Sequence, residues 1–341
     1  MTLETPPTTA PTKPARRSNP FWNGPERRLR AYVRIISFAG IVMILTLLIS
    51  FITVPLAILL TPDLSIMDLT AGTLPDASLI ITANALGVLV ATVIALLLGA
   101  RFLDRRPLAE YGLRFNPAWW LDLGFGLALG AGLMLLIFLI QLGLGWISIT
   151  GFAVAGTSSM SFAPAWGLAL LTFISVGIYE ELISRGYLIK NMAEWFGGTH
   201  ARRGIVLAWV LSSAIFGVLH ALNPNTTLTS TLMLLLAGLF LGLGYILTGE
   251  LAIPIGLHIT WNFFQGNVFG FPVSGLPIRT SLIAIEQRGP ALWTGGEFGP
   301  EAGLLGLLAI LLGCALTLGW VRWRYGQVAV ARVLATPPPH S

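Results

Sequence analysis

Charge is what this sequence has least of. Only 10% of its 341 residues are Asp, Glu, Lys or Arg, against roughly 25% in soluble domains. Hydrophobic residues make up 55% and the mean hydropathy is +0.79. That balance excludes a soluble globular protein and indicates a polytopic membrane protein. Cysteine is nearly missing. Cys314 stands alone, so no intrachain disulfide can form, and its apolar setting makes it a small core residue. No cleavable signal peptide is visible. The first 30 residues are Pro- and Thr-rich and then basic, and the first apolar run is long enough to span and stay. No internal repeat is visible, which leaves an inverted-repeat transporter without support. The sequence pI of about 9.8 does not signal a nucleic-acid partner, because Lys and Arg sit in loops and tails where membrane topology accounts for them.

What is present is a series of long apolar runs. A spanning helix needs about 20 mostly apolar residues. Eight stretches qualify: 33–60, 77–100, 121–147, 166–188, 204–222, 228–247, 251–269 and 303–320. The expected fold is an all-α membrane bundle of about eight transmembrane helices over 33–325. A disordered basic cytoplasmic tail over 1–32 precedes it and a tail over 326–341 follows it.

Basic residues cluster on one side of these runs. They include Lys13, Arg16 and Arg17 before the first run and Arg34 at its start, Arg101, Arg105, Arg106 and Arg114 after the second, Lys190, Arg202 and Arg203 after the fourth, and Arg322, Arg324 and Arg332 at the end. The opposite loops carry Asp63, Asp68 and Asp76, or no charge around 151–161; only Arg279 and Arg288 are basic there. The positive-inside rule then puts both termini in the cytoplasm. His200, in a basic loop, and His340, in the tail, read as solvated. Gly126 with Gly130, and Gly238 with Gly242, permit close helix contact and carry no chemistry.

The fourth stretch is interrupted by Glu180, Glu181 and Arg185. A charge at membrane depth costs about 2.5–3.5 kcal/mol on insertion scales and usually marks a site. Glu181 and Arg185 are four apart on a helix and should pair. Glu180 is turned about 100° away, free to act as a general base. Phe216 lies one turn before His220, and His258 one turn before Asn262. Imidazole and amide together can donate two hydrogen bonds to an oxyanion. Pro254 permits a bend before His258. Two histidines alone also suit a bis-histidine haem or a proton relay, but neither uses both glutamates and the arginine. Hydrolysis uses all of them. Glu180, His220 and His258 could also ligate a divalent metal such as zinc with one position open for water. The residues do not choose between the two schemes.

Glu-Glu-xxx-Arg, then Phe-xxx-His, then His-xxx-Asn on successive hydrophobic helices resembles the CPBP family of intramembrane proteases. That family includes the type II CAAX prenyl endopeptidases (Rce1-like) and bacterial proteins linked to bacteriocin self-immunity. The resemblance covers about 166–270, and the stretch 104–113 resembles the cytoplasmic loop that often precedes the family's core. It implies an endopeptidase in which Glu180, aided by His220, activates water. His258 and Asn262 would bind the oxyanion, and Glu181, Arg185 and Phe216 would shape the site. It also implies either a metal-dependent or a glutamate-only mechanism. The Arg-, Ala-, Leu- and Gly-rich composition reads as bacterial, hence an inner-membrane protein. The expected substrate is a membrane-associated peptide or a lipidated, prenylated-type protein, and the bacterial composition favours the peptide, such as a bacteriocin or signalling precursor. The alternative is a non-enzymatic transporter or immunity-type binding protein. By the boundaries above, Glu180 and His258 fall in the inner half of the bilayer and His220 near its outer face. Contact then requires a shifted helix start, a steep tilt or a break.

Overall fold

The apolar runs form helices throughout. A computed structural model describes residues 19–60, 78–156, 160–198 and 200–338. The tail over 1–18, Asp63, Asp68 and Asp76, and His340 lie outside the described residues. In chain order the helices are α1 (Ala31–Leu59), α2 (Ser78–Leu98), α3 (Pro117–Gly143), α4 (Phe162–Glu181), α5 (Lys190–Gly197), α6 (Ala201–Leu219), α7 (Leu228–Thr248), α8 (Ala252–Phe263), α9 (Ala291–Thr294) and α10 (Leu304–Tyr325). Two antiparallel pairs add β1 (Trp22–Asn23) with β2 (Arg28–Leu29), and β3 (Ile147–Val154) with β4 (Ser281–Gln287).

Seven helices among the described residues are long and apolar enough to cross a membrane. The eighth expected span, 251–269, is shorter: α8 has 12 residues and continues as a π-turn over Phe264–Val268. It is also the most enclosed helix, with almost every residue from Ala252 to Phe263 buried. Pro254 lies in its first turn, where the missing N–H has no intrahelical acceptor to lose. The expected bend before His258 is therefore not needed; the irregularity falls after the site, at the π-turn.

Small residues set how closely α8 is approached. A Cβ on Gly126 would stand 2.4 Å from the carbonyl oxygen of Ile253, and one on Gly130 would stand 2.6 Å from that of Leu257. Gly256 answers from the other helix, 2.5 Å from the carbonyl oxygen of Leu123. Thr260 Oγ1 donates across the same seam to the carbonyl of Leu127 at 2.8 Å. The two backbones are thus in contact, which suits association in lipid, where packing replaces the hydrophobic drive.

The fourth span is longer than the sequence implied. It runs over Phe162–Gly197, 36 residues, through a π-helical segment over Leu182–Ile189. The backbone N–H of His200 donates to the carbonyl of Gly197, and α6 starts at Ala201. A Cβ on Gly204 would stand 2.4 Å from the Cα of Gly197, so glycine at 204 lets the two helices approach this closely. Glu180 lies 17 residues before Gly197 and His220 lies 19 after Ala201. The two therefore return to nearly the same level along the hairpin. The depth mismatch came from ending the helix at residue 188 and starting the next at 204.

The polar residues that looked like loop form a buried ionic network. Arg34 pairs with Asp104 at 2.8 Å and with Glu194 at 3.2 Å; Arg106 pairs with Glu194 at 2.6 Å and Arg28 with it at 2.9 Å. Residues 19–30, placed in the tail by sequence, form the β1–β2 hairpin that delivers Arg28, 2% exposed, to this network. Lys190 Nζ donates to the carbonyl of Val333 at 2.7 Å, and Leu334 is buried, so part of the C-terminal tail docks on the same end. Two hydrophobic cores fill the bundle, and half-buried Cys314 packs against both.

Candidate active site

Three helices deliver the polar side chains. Gly177, one turn before Glu180 and Glu181, sets the spacing. A Cβ there would stand 2.6 Å from the side chain of Ile259 and 3.0 Å from its backbone nitrogen. This contact brings α4 against α8 one residue past His258.

Glu181 is fully buried and is the hub. Its Oε1 accepts from Arg185 Nη1 at 2.8 Å and lies 2.7 Å from His258 Nδ1. The pair expected from the four-residue spacing therefore forms, and it also braces an imidazole 77 residues away. Arg185, 1% exposed, donates a second bond to the carbonyl of Gly238 at 3.0 Å. Its guanidinium lies over the ring of Phe216 at 4.7 Å, a cation–π contact strengthened by desolvation. Phe216 in turn meets the ring of His220 at 4.6 Å and that of His258 at 6.2 Å between centroids.

Glu180 takes the other direction. Its side chain is 21% exposed, and its Oε2 lies 3.8 Å from His258 Nε2. That is too long for a hydrogen bond and short enough for one water to touch both. Glu180, His220, His258, Asn262 and Phe216 all line a single cavity of about 890 Å³. His220 directs Nδ1 at the carbonyl oxygen of Phe216, 2.8 Å away, which leaves Nε2 for the cavity. Neither His220 nor Asn262 hydrogen-bonds to Glu180 among the described residues.

The donors do not assemble as a zinc site. A carboxylate behind Nδ1 is how a metal-ligating imidazole is often held, and Glu180 supplies a second donor beside Nε2. Among the described residues, however, no group of three His, Cys, Asp or Glu is placed to hold a metal ion. A catalytic zinc site uses three protein ligands.

Sequence reasoning missed several cavity residues. Tyr179, Asn223 and Glu301 also line it. Asn223 was visible only as a helix-ending residue. Glu301 stands two residues ahead of an apolar span in a loop that also carries Arg279, Glu286, Arg288 and Glu297, so its charge did not single it out.

Residues 162–264 match the family described as Type II CAAX prenyl endopeptidase Rce1-like. The matched segment begins at α4 and ends one residue past α8, so it holds Glu180, Glu181, Arg185, Phe216, His220, His258 and Asn262. No curated protein and no solved structure gave a significant match. The chain thus carries an Rce1-like domain over residues 162–264, and its apolar helices make it an integral membrane protein.

Proposed function

We propose that this protein hydrolyses a peptide bond of a membrane-associated peptide with a water molecule activated by Glu180. One observation carries the proposal: Glu180 Oε2 and His258 Nε2 stand 3.8 Å apart on the wall of one cavity. A base and an oxyanion donor that serve one tetrahedral carbon must stand a few ångströms apart, because the attacking and carbonyl oxygens share that carbon.

Glu180 takes a proton from water as the water oxygen attacks the scissile carbonyl carbon. The carbonyl π pair moves onto oxygen. Asn262 and His258 donate hydrogen bonds to that oxyanion, an effect worth roughly 10²–10³ in rate per donor. His258 donates from Nε2 while Nδ1–H is held by Glu181, so both nitrogens carry hydrogen. Glu180, Glu181, Arg185 and His258 then sum to no net charge, as a low-dielectric setting requires. When the intermediate collapses, the C–N bond breaks and the proton on Glu180 passes to the departing amine. His220, through Nε2, orients the water beside Glu180. No metal enters these steps.

The basic loops support a cytoplasmic location for both termini, and the composition supports a bacterial inner membrane. A membrane peptide is favoured over a prenylated protein on the same ground. The test is incubation of the full chain in liposomes with a panel of membrane peptides in ¹⁸O-water. Hydrolysis places one ¹⁸O in the new C-terminal carboxylate. Peptides that bind or cross without cleavage would instead support an immunity or transport role.

A further inference from the structure

Beyond the matched segment, residues 271–280 cross the cavity between the π-turn of α8 and β4, and Val273, Ser274, Leu276 and Ile278 line it. This crossing is held from two sides. On one side is Glu301, immediately before α10 and only 3% exposed. Its Oε1 accepts from the backbone N–H of Ser274 at 2.6 Å, and its Oε2 accepts from Gln265 Nε2. Gln265 Nε2 also donates to the carbonyl of Pro272 at 2.5 Å.

On the other side is the turn that carries His220. Asn223 Nδ2 donates to the carbonyl of Ser274 at 2.9 Å, and Asn225 Nδ2 donates to that of Gly275 at 3.1 Å. Gly275 has φ +83°, and a Cβ there would stand 1.9 Å from the carbonyl oxygen of Pro224, so the contact requires glycine. Asn223 is itself tied to the histidine, its backbone N–H donating to the carbonyl of His220 at 3.1 Å. Thr226 Oγ1 donates to that carbonyl as well, at 3.3 Å. An unbroken run of hydrogen bonds therefore leads from the Glu301 carboxylate through Ser274 and Asn223 to the backbone of His220. A buried carboxylate is costly unless its oxygens are bonded, and here both bonds serve this one crossing.

We propose that Glu301 is a positioning residue for His220, acting through Ser274 and Asn223, and that 271–280 is the fixed roof of the reaction cavity. The consequence for turnover rests on the hydrolase reading above; the mechanical link does not. The test uses the full chain in detergent with ¹⁵N-labelled histidine. The variants are Glu301→Ala, Asn223→Ala and Glu301→Gln, and the His220 signal is identified by its loss in His220→Ala. Both alanine variants are expected to move the His220 imidazole signals and to leave those of His258 in place. With a cleaved peptide, kcat falls roughly 10- to 100-fold while KM stays within about twofold. Glu301→Gln restores both, because its amide oxygen still accepts from Ser274. The bond from Gln265 Nε2 is the one the variant gives up, while the Ser274 link that leads to His220 is kept. Unmoved His220 signals in Asn223→Ala would overturn the proposal. So would equal shifts of His220 and His258 in Glu301→Ala, which mark general loosening. A wild-type chain that cleaves nothing would defeat the hydrolase reading alone, since the signals still decide the link.

Discussion

Glu181 holds His258 and Arg185 on the same oxygen, at 2.7 Å and 2.8 Å, with no exposed surface on the carboxylate. Removing one partner of such a buried pair leaves an uncompensated charge and typically costs about 3–5 kcal/mol. Arg185→Met is therefore expected to destabilise the bundle by that order. Denaturant unfolding in detergent measures it, and a loss below about 1 kcal/mol would show that the pair is not structural. Glu181→Gln, which keeps an acceptor oxygen for both partners, should cost less than Arg185→Met.

Gly177 is the point where α4 and α8 touch beside the site, with a Cβ position 2.6 Å from Ile259. Gly177→Val is expected to destabilise by about 1–3 kcal/mol through overpacking, and to lower turnover by widening the distance from Glu180 to His258. Gly132, where a Cβ meets nothing within 4 Å, is the control. Equal behaviour of Gly177→Val and Gly132→Val would remove the spacing argument.

Glu301 supplies a pH dependence. Burial raises its pKa to about 7 from 4.5, although hydrogen bonds from Ser274 and Gln265 pull the other way. The folded state therefore binds more protons than the unfolded state between these values. Stability from this group is complete below about pH 4.5. It is lost as pH rises through about 7, by an amount on the order of 3 kcal/mol. Thermal midpoints of the wild type in detergent should fall across that window, and those of Glu301→Gln should stay flat. A fall that persists unchanged in Glu301→Gln would assign it to other groups.

Metal removal separates two chemistries. Glu180 and His258 form a pair without a third metal-holding partner among the described residues. Dialysis against a strong chelator is expected to leave turnover within about twofold, with less than one equivalent of metal by elemental analysis. Loss of activity that returns with zinc would assign the pair to a metal instead.

The bundle itself was legible because hydropathy marks helices that face lipid. Lys190 and Glu194 misplaced the fourth-span boundary, because charges that look like loop residues are buried in pairs at the helix end. The motif residues of α4 and α6 were legible from their spacing. The brace from Glu181 to His258 was not, because it joins residues 77 apart whose contact depends on Gly177. Glu301 was not legible as a site residue either. Its partners are a backbone N–H and an amide, which leave no pattern in the sequence.

The most direct measurement is turnover of one membrane peptide by wild type and Glu180→Gln, reconstituted at equal density with matched unfolding midpoints. Loss of the base is expected to lower kcat by roughly 10²–10⁴, with peptide binding unchanged. Full cleavage by Glu180→Gln would contradict water activation by this carboxylate.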